Sequence, residues 1–443
     1  MKTGLYLMND NIKLGLNKRV ILFGTALIPV STYWVLRMEI MSGNVGGGGS
    51  SFGGAQYTTC LSIFFNVIFL VIALTLISKL WHRLFSKPLL KEDEILTIYV
   101  MLSISTGVAG TDMIQVLIPI LGHAFWFATP ENEWENLFFP YLPRWLTVSD
   151  KAVLRGFYEG QSTFYNIEHI KAWIVPLASW FFLLMTLLLI MFCINIIIKK
   201  QWIERERLSY PIAQIPMSIT ENEGKGLFKD RMFWIGFAIA SIIDIYNGIA
   251  YLIPTFPLFV IKYELSHLFT SKPWNSMGWT IFALFPFAVG LGYLIPVDLA
   301  FSCWFFFFFS KVQRMIASLI GLYGFAGFPF IREQSFGAYI GICVFAIFIG
   351  RRHFKNVLKL IFKKDSDEAN SYRLALLGII GGWFFIIAFG LYAGMSLWAV
   401  ISFFGIYFLL SLGITRMRAE LGVPAHDLHA MDPSVVITTA VGT

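Results

Sequence analysis

Three carboxylates stand where carboxylates are expensive: Asp112, Asp244 and Asp298 each lie within or at the edge of a long apolar run. A charge at the centre of a membrane helix costs about 2.5–3.5 kcal/mol on insertion scales, so each acid needs a partner or a wet cavity. Asp112 and Gln115 are three residues apart, as are Asp244 and Asn247. At helical spacing each pair shares one face, and Tyr251 extends the second stripe by a turn. A carboxylate beside a carboxamide on two inward-facing helices suits a proton or sodium ion and a polar solute near the bilayer midplane. The same pairs serve as hydrogen-bond clasps between packed helices, and that alternative stays open. Asp298 follows Pro296 at a turn, where capping the next helix competes with binding. His426 and His429 are three apart but have no third ligand, and Gly422 and Pro424 make their surroundings a loop, so no metal site is read there. No phosphate-cradling loop, nucleophile elbow or zinc-protease helix occurs, so no cofactor is indicated.

The elements that hold these residues are membrane helices. The chain is 57% hydrophobic and 14% charged, with a mean hydropathy of +0.68, which excludes a soluble protein. Apolar runs recur from Val20 to Ile414 without a gap the size of a soluble domain. The expected fold is one all-α polytopic membrane domain over residues 1–443, with about ten transmembrane helices, some broken or re-entrant. Spans are expected at Val20–Leu36, Leu61–Ile77, Ile95–Leu121, Ala172–Ile198, Met232–Ile253 and Trp279–Ile295. Two more surround a break in Leu299–Ile349, and Leu374–Leu391 and Met395–Ile414 form a closing hairpin. The first run is too long for a signal core, and Arg37-Met38-Glu39 follows it in place of a cleavage site. Gly46–Gly54 is a flexible linker by composition. Residues 122–171, rich in Trp, Tyr, Pro and Glu, form a cap at the membrane surface. Gly107, Gly110 and Pro119 predict a break in the third span, as do the glycines of Gly321–Pro329 further on. Gly378, Gly381 and Gly382 predict close helix packing. Cys60, Cys193, Cys303 and Cys343 have no metal-ligand spacing and read as packing residues, and Trp304 with Phe305–Phe309 reads as lipid-facing or core. His123, beside Trp126, reads as an interfacial histidine.

Charge orients the chain. Of 34 Lys and Arg, 24 fall at one side: four in residues 1–19, four in 79–91, seven in 199–231, seven in 351–373 and two in 416–418. Cationic loops stay in the cytoplasm, so the N-terminus and the 199–231 and 351–373 loops are expected inside and the cap outside. Arg416 and Arg418 then read as cytoplasmic anchors. The +7 net charge is met by anionic lipid and calls for no nucleic acid. The expected location is the cell membrane, with the lipid bilayer as first partner; a homo-oligomer is left open.

Within 199–231, Pro211 and Pro216 are expected to break any helix continuing from the fourth span. The run Glu204, Arg205, Glu206, Arg207, Leu208, Ser209, Tyr210, Pro211 resembles the Leu-x-Tyr/Phe-Pro loop of the oligopeptide transporter superfamily. Ile212, Ala213 and Gln214 depart from that superfamily's usual continuation. In Ala128–Asp150, Trp202–Pro211, Phe301–Trp304 and Thr415–His429 the chain more closely resembles a family of uncharacterised multi-span bacterial membrane proteins. That resemblance implies further C-terminal spans, this chain being an N-terminal part of the architecture. The likeness to the oligopeptide transporters makes Glu204, Arg205, Leu208, Tyr210 and Pro211 motif residues and, with the membrane acids and broken spans, a small polar or peptide-like solute the expected cargo of an ion-coupled transporter. Two other classes remain: an embedded enzyme working on a lipid-linked or envelope substrate through cap residues Glu131, Glu133, Glu135 and Asp150, and a non-catalytic scaffold. A cleft with converging carboxylates would favour the enzyme, and interiors with every acid paired would favour the scaffold.

Overall fold

A computed structural model describes residues 17–44, 63–110, 113–253, 255–322, 325, 327–362, 366–422 and 433–441. The Gly46–Gly54 linker, Cys60, Asp112 and the His426–His429 segment lie outside the described residues. Among the described residues the fold is all-α apart from one two-stranded antiparallel sheet. Among the described residues, eight helical stretches are long and apolar enough to cross a membrane.

In chain order, α1 (Lys18–Asn44) contains Pro29, α2 spans Phe65–Phe85, and α3 spans Glu92–Ala109. The helix stops at Gly110 and resumes as α4 (Ile114–Trp126), so the third apolar run is interrupted as its glycines predict. Short helices α5 (Trp134–Leu137) and α6 (Lys151–Tyr158) follow in the cap, then α7 (Ile167–Lys200), which ends in a π turn over Gln201–Arg205. Next come α8 (Pro211–Thr220), α9 (Lys225–Lys229) and α10 (Arg231–Leu252). Strand β1 (Lys262–Glu264) pairs antiparallel with β2 (Ile281–Ala283) and leads to α11 (Pro286–Leu294) and α12 (Val297–Leu319). Last are α13 (Ile331–Ile361), α14 (Asp367–Tyr392), α15 (Leu397–Leu421) and α16 (Pro433–Val441).

Two expectations about the elements are corrected. The run Trp279–Ile295 is not a span. Pro286 holds Phe285 extended, so the run divides into a strand and a nine-residue helix. The basic stretch 351–373 is not a loop. No Gly or Pro follows Gly350 before Ser366, and Lys and Arg are good helix formers, so α13 runs on to Ile361 and α14 starts at Asp367. Pro211 does end the helix that continues from α7, as expected: that helix stops at Arg205, residues 206–210 are not helical, and a new helix starts at the proline. Pro211 opens α8 at the position where a missing N–H costs nothing, and the helix carries Pro216 in its interior.

The chain divides into two compact units. The first comprises residues 1–114, 209–331 and 417–427. Its core is Val67, Val71, Leu74, Leu90, Ile95, Ile98 and Leu102, with Ile219 of α8 among them, so the loop helix docks against α2 and α3. Glu92 Oε1 accepts the Asn222 N–H at 2.7 Å, fastening the 199–231 segment to the start of α3, where the 79–91 connection ends. The first half of helix α12 is largely exposed, with Phe301 and Trp304–Phe309 all at the surface.

The second unit comprises residues 115–208, 332–416 and 428–443. There α7 packs against α14 through glycine. A Cβ on Gly378 would approach Cys193 Sγ to 2.6 Å, and one on Gly382 would approach Ile190 Cγ1 to 2.5 Å, while Gly381 faces open space. The cap is ordered, built on Leu121, Phe125, Val148, Val153, Leu154 and Trp173. Trp180 Nε1 donates to Leu146 O at 3.0 Å and Tyr158 Oη to Pro119 O at 2.6 Å. Burial pushes the Tyr158 phenol up, so it remains a donor through the physiological range.

Candidate functional site

The acids and carboxamides singled out by type occupy different settings. Gln115 is half-buried on the first turn of α4, directly after the interruption that contains Asp112 in the sequence. Asp244 is exposed on α10. Asn247, one turn on, is buried and clamps the backbone of Phe259: its Nδ2 donates to Phe259 O at 3.1 Å and its Oδ1 accepts the Phe259 N–H at 2.9 Å. Asp298 is exposed in the first turn of α12, where the positive end of the helix dipole favours a carboxylate. Asn247 is thus engaged with a loop rather than with the acid of its own stripe.

A polar cluster that residue type alone did not single out lies in the packed face of α1, α2 and α3. Asn66 Nδ2 donates to Ser31 Oγ at 2.8 Å and to Thr106 Oγ1 at 3.0 Å, and the two hydroxyls are 3.5 Å apart. All three residues are at most 1% exposed, and Asn66 Oδ1 is buried without a partner. Ser31 lies thirteen residues beyond Lys18, Thr106 fourteen beyond Glu92, and Asn66 seventeen before Arg83. At about 1.5 Å per residue these groups stand about 20–26 Å from those charged residues, toward the opposite ends of their helices: Ser31 is six residues before Arg37, Asn66 is the second residue of α2 and Thr106 is three from the end of α3. A single Asn in an apolar run was the available sequence signal. It went unread because Asn66 has no acidic neighbour at helical spacing, and its partners come from other helices.

The motif residues have a structural role. After the π turn, Leu208 N–H returns to Trp202 O at 3.1 Å, closing the corner. Glu206 is ion-paired with Arg416, both nearly buried, and accepts from Gln201 Nε2 at 2.8 Å. The Arg416 guanidinium also lies 5.4 Å from the centre of the Trp202 ring. Arg416 is therefore a buried partner, not an exposed anchor. One step on, Ser209 Oγ donates to Glu420 O at 2.7 Å and Tyr210 N–H to Ala419 O at 2.9 Å, while Gly422, at φ +59°, lies against Pro211. The segments Trp202–Pro211 and Thr415–Gly422 are thus bonded to each other over some 210 residues of separation. Glu204 and Arg205 are exposed.

In the cap, Glu131, Glu133 and Glu135 are exposed, and Asp150 caps α6 by accepting the Ala152 N–H at 2.8 Å. A groove of about 470 Å³ between α7 and α14 is lined by Trp145, Ser179, Phe182, Phe385, Phe389 and Tyr392, with no carboxylate. His123 packs against Phe127, with ring centres 4.6 Å apart and planes tilted by 44°. Lys311, buried on α12, donates to Trp279 O at 2.6 Å and Met277 O at 3.2 Å, which neutral carbonyls satisfy without an acid. Cys343 donates to Leu409 O, and Cys193 meets Gly378, both as packing groups; Cys303 is exposed.

No curated protein and no solved structure matches the chain, so the likeness of Glu204–Pro211 to oligopeptide transporters has no support beyond the motif itself. A family model does match, over residues 12–443, and by that coverage the chain belongs to DUF6785, a family of unknown function.

Proposed function

We propose that this protein is a secondary transporter that moves a small polar solute across the cell membrane, coupled to a proton or sodium gradient. One observation carries the reading: the apolar stretch Glu92–Trp126 is interrupted after Ala109, with an acid inside the interruption and a buried polar cluster one turn before it. Backbone without helical bonds is tolerated at membrane depth only where protein buries it or water reaches it. Transporters place such interruptions at their binding sites. Asp112 and Gln115 are the first candidate ligands, Asp244 and Asp298 the next. Asn247 contributes by holding the loop after α10. The peptide-like character of the solute rests on the Glu204–Pro211 motif alone.

The orientation proposed with this function puts the N-terminus and the 199–231 segment in the cytoplasm. Eight crossings satisfy the Lys and Arg distribution as well as ten did. Residues 253–330 then lie on the cap's side, and the ten cations outside the basic connections remain together there.

The test is uptake in proteoliposomes with an imposed ion gradient, screened over amino acids and short peptides. Gradient-driven uptake by the wild type, abolished in Asp112→Asn with unchanged protein yield, is the expected result. Unchanged uptake in Asp112→Asn removes that residue from the mechanism, and an absence of gradient-driven uptake across the solute panel removes the transport reading.

A further inference from the structure

Donors and acceptors in the cluster of Ser31, Asn66 and Thr106 do not balance. As placed, Asn66 gives both amide hydrogens to the hydroxyls, its Oδ1 has no donor, and the hydroxyls have only each other, at 3.5 Å, as acceptors. Other membrane hydroxyls in the same unit are satisfied locally: Thr75 donates to Val71 O and Thr97 to Asp93 O, both at 2.8 Å. Rotating the carboxamide by half a turn, which exchanges atoms of nearly the same shape, gives Oδ1 to the hydroxyls and orphans Nδ2 instead. Neither orientation closes the network, and an unmade bond at a buried group costs about 1–3 kcal/mol.

The rotated form has another property. It gathers three neutral oxygens, Ser31 Oγ, Asn66 Oδ1 and Thr106 Oγ1, with edges of 2.8, 3.0 and 3.5 Å. The lone pairs then have a common target in a small cation, which the 3.5 Å edge admits and toward which the two hydrogen-bond-length edges must open, while Nδ2 keeps no acceptor. None of the three groups titrates, so the cluster cannot hold a proton. With no carboxylate among them, it does not match the charge of calcium or magnesium. Thr106 is three residues from the last residue of α3, so the negative end of that helix dipole stands beside it and favours a cation.

We infer that Ser31, Asn66 and Thr106 ligate a partly dehydrated sodium ion between α1, α2 and α3. This deepens the transport reading by naming the coupling ion, and it rests on that reading only for the coupling, not for the binding.

The experiment is binding of radioactive sodium to the purified full chain in nanodiscs, with thermal stability followed over a sodium titration at constant ionic strength in potassium or choline. Saturable sodium binding with a matching rise in Tm, absent in potassium, is expected. Thr106→Val keeps volume but removes an oxygen, and Ser31→Ala is the milder change; each should weaken sodium affinity by about tenfold or more. Potassium and sodium acting alike would mean an ordered water only and would overturn the site, as would wild-type affinity in both variants. If Thr106→Val fails to fold, Ser31→Ala and the wild-type ion comparison decide. Sodium binding without gradient-driven uptake sinks transport but leaves the site. Uptake driven by protons alone, with no sodium binding, does the reverse.

Discussion

Single residues show how far chemistry could be read by type and where it could not. Asp112, Asp244 and Asp298 were visible because acids in apolar runs are rare. Their partners were not, because a sequence does not say which face meets which. Glu206 and Arg416 are the clearest case: one was read as part of a loop motif, the other as a cytoplasmic anchor, and 210 residues separate them. Their side chains are only 12% and 11% exposed, whereas those of the second unit's other long-range pair, Lys200 and Glu368, are 37% and 43% exposed. The two pairs should therefore respond differently. Arg416→Met leaves Glu206 buried and uncompensated, which costs about 3–5 kcal/mol. Lys200→Met removes a wet pair worth about 0–1 kcal/mol. Adding Glu206→Leu to Arg416→Met should recover much of the loss. Denaturation in detergent measures all four proteins, and equal effects for the two arginine and lysine variants would contradict the burial of the Glu206 pair.

Helices were legible as apolar runs, and their ends were not. Hydropathy falls where Lys and Arg begin, but those residues favour helix, so α13 continues eleven residues beyond its apolar part and α15 continues to Leu421. The failure at Trp279–Ile295 has the opposite cause: an apolar run long enough to cross was divided by one proline. Glycine was read more successfully. The expected interruption near Gly110 and packing at Gly378 and Gly382 are both seen, but the packing expected at Gly381 is not. The structure separates even adjacent glycines, since Gly381 faces outward while Gly382 receives Ile190. Gly382→Val should separate α7 from α14 and destabilise by about 1–3 kcal/mol. Gly381→Ala should be neutral or slightly stabilising, since Ala is the better helix former. A thermal shift assay on both variants tests the packing, and a neutral Gly382→Val would refute it.

For the whole molecule, charge asymmetry makes a claim that contacts alone cannot. The bond between Glu92 and Asn222 places two basic connections at one end of the first unit, which the same-side assignment requires. Labelling decides which side. In a protein lacking Cys60, Cys193, Cys303 and Cys343, a thiol at Glu131→Cys should react with an impermeant maleimide added to intact cells, and one at Lys87→Cys only after permeabilisation. The reverse pattern would invert the orientation, and labelling of both from outside would break the count of crossings between them. The cap bears on how any motion could be seen. The Trp180 indole and the packing of Trp173 with Leu154 fasten it to α7, so it rides with that helix as a passenger and does not open as a lid. A fluorophore on the exposed rim at Glu135 would therefore be a distant reporter of α7. If the transport proposal holds, its displacement on adding ion or solute would follow the movement of α7 without a label in the membrane.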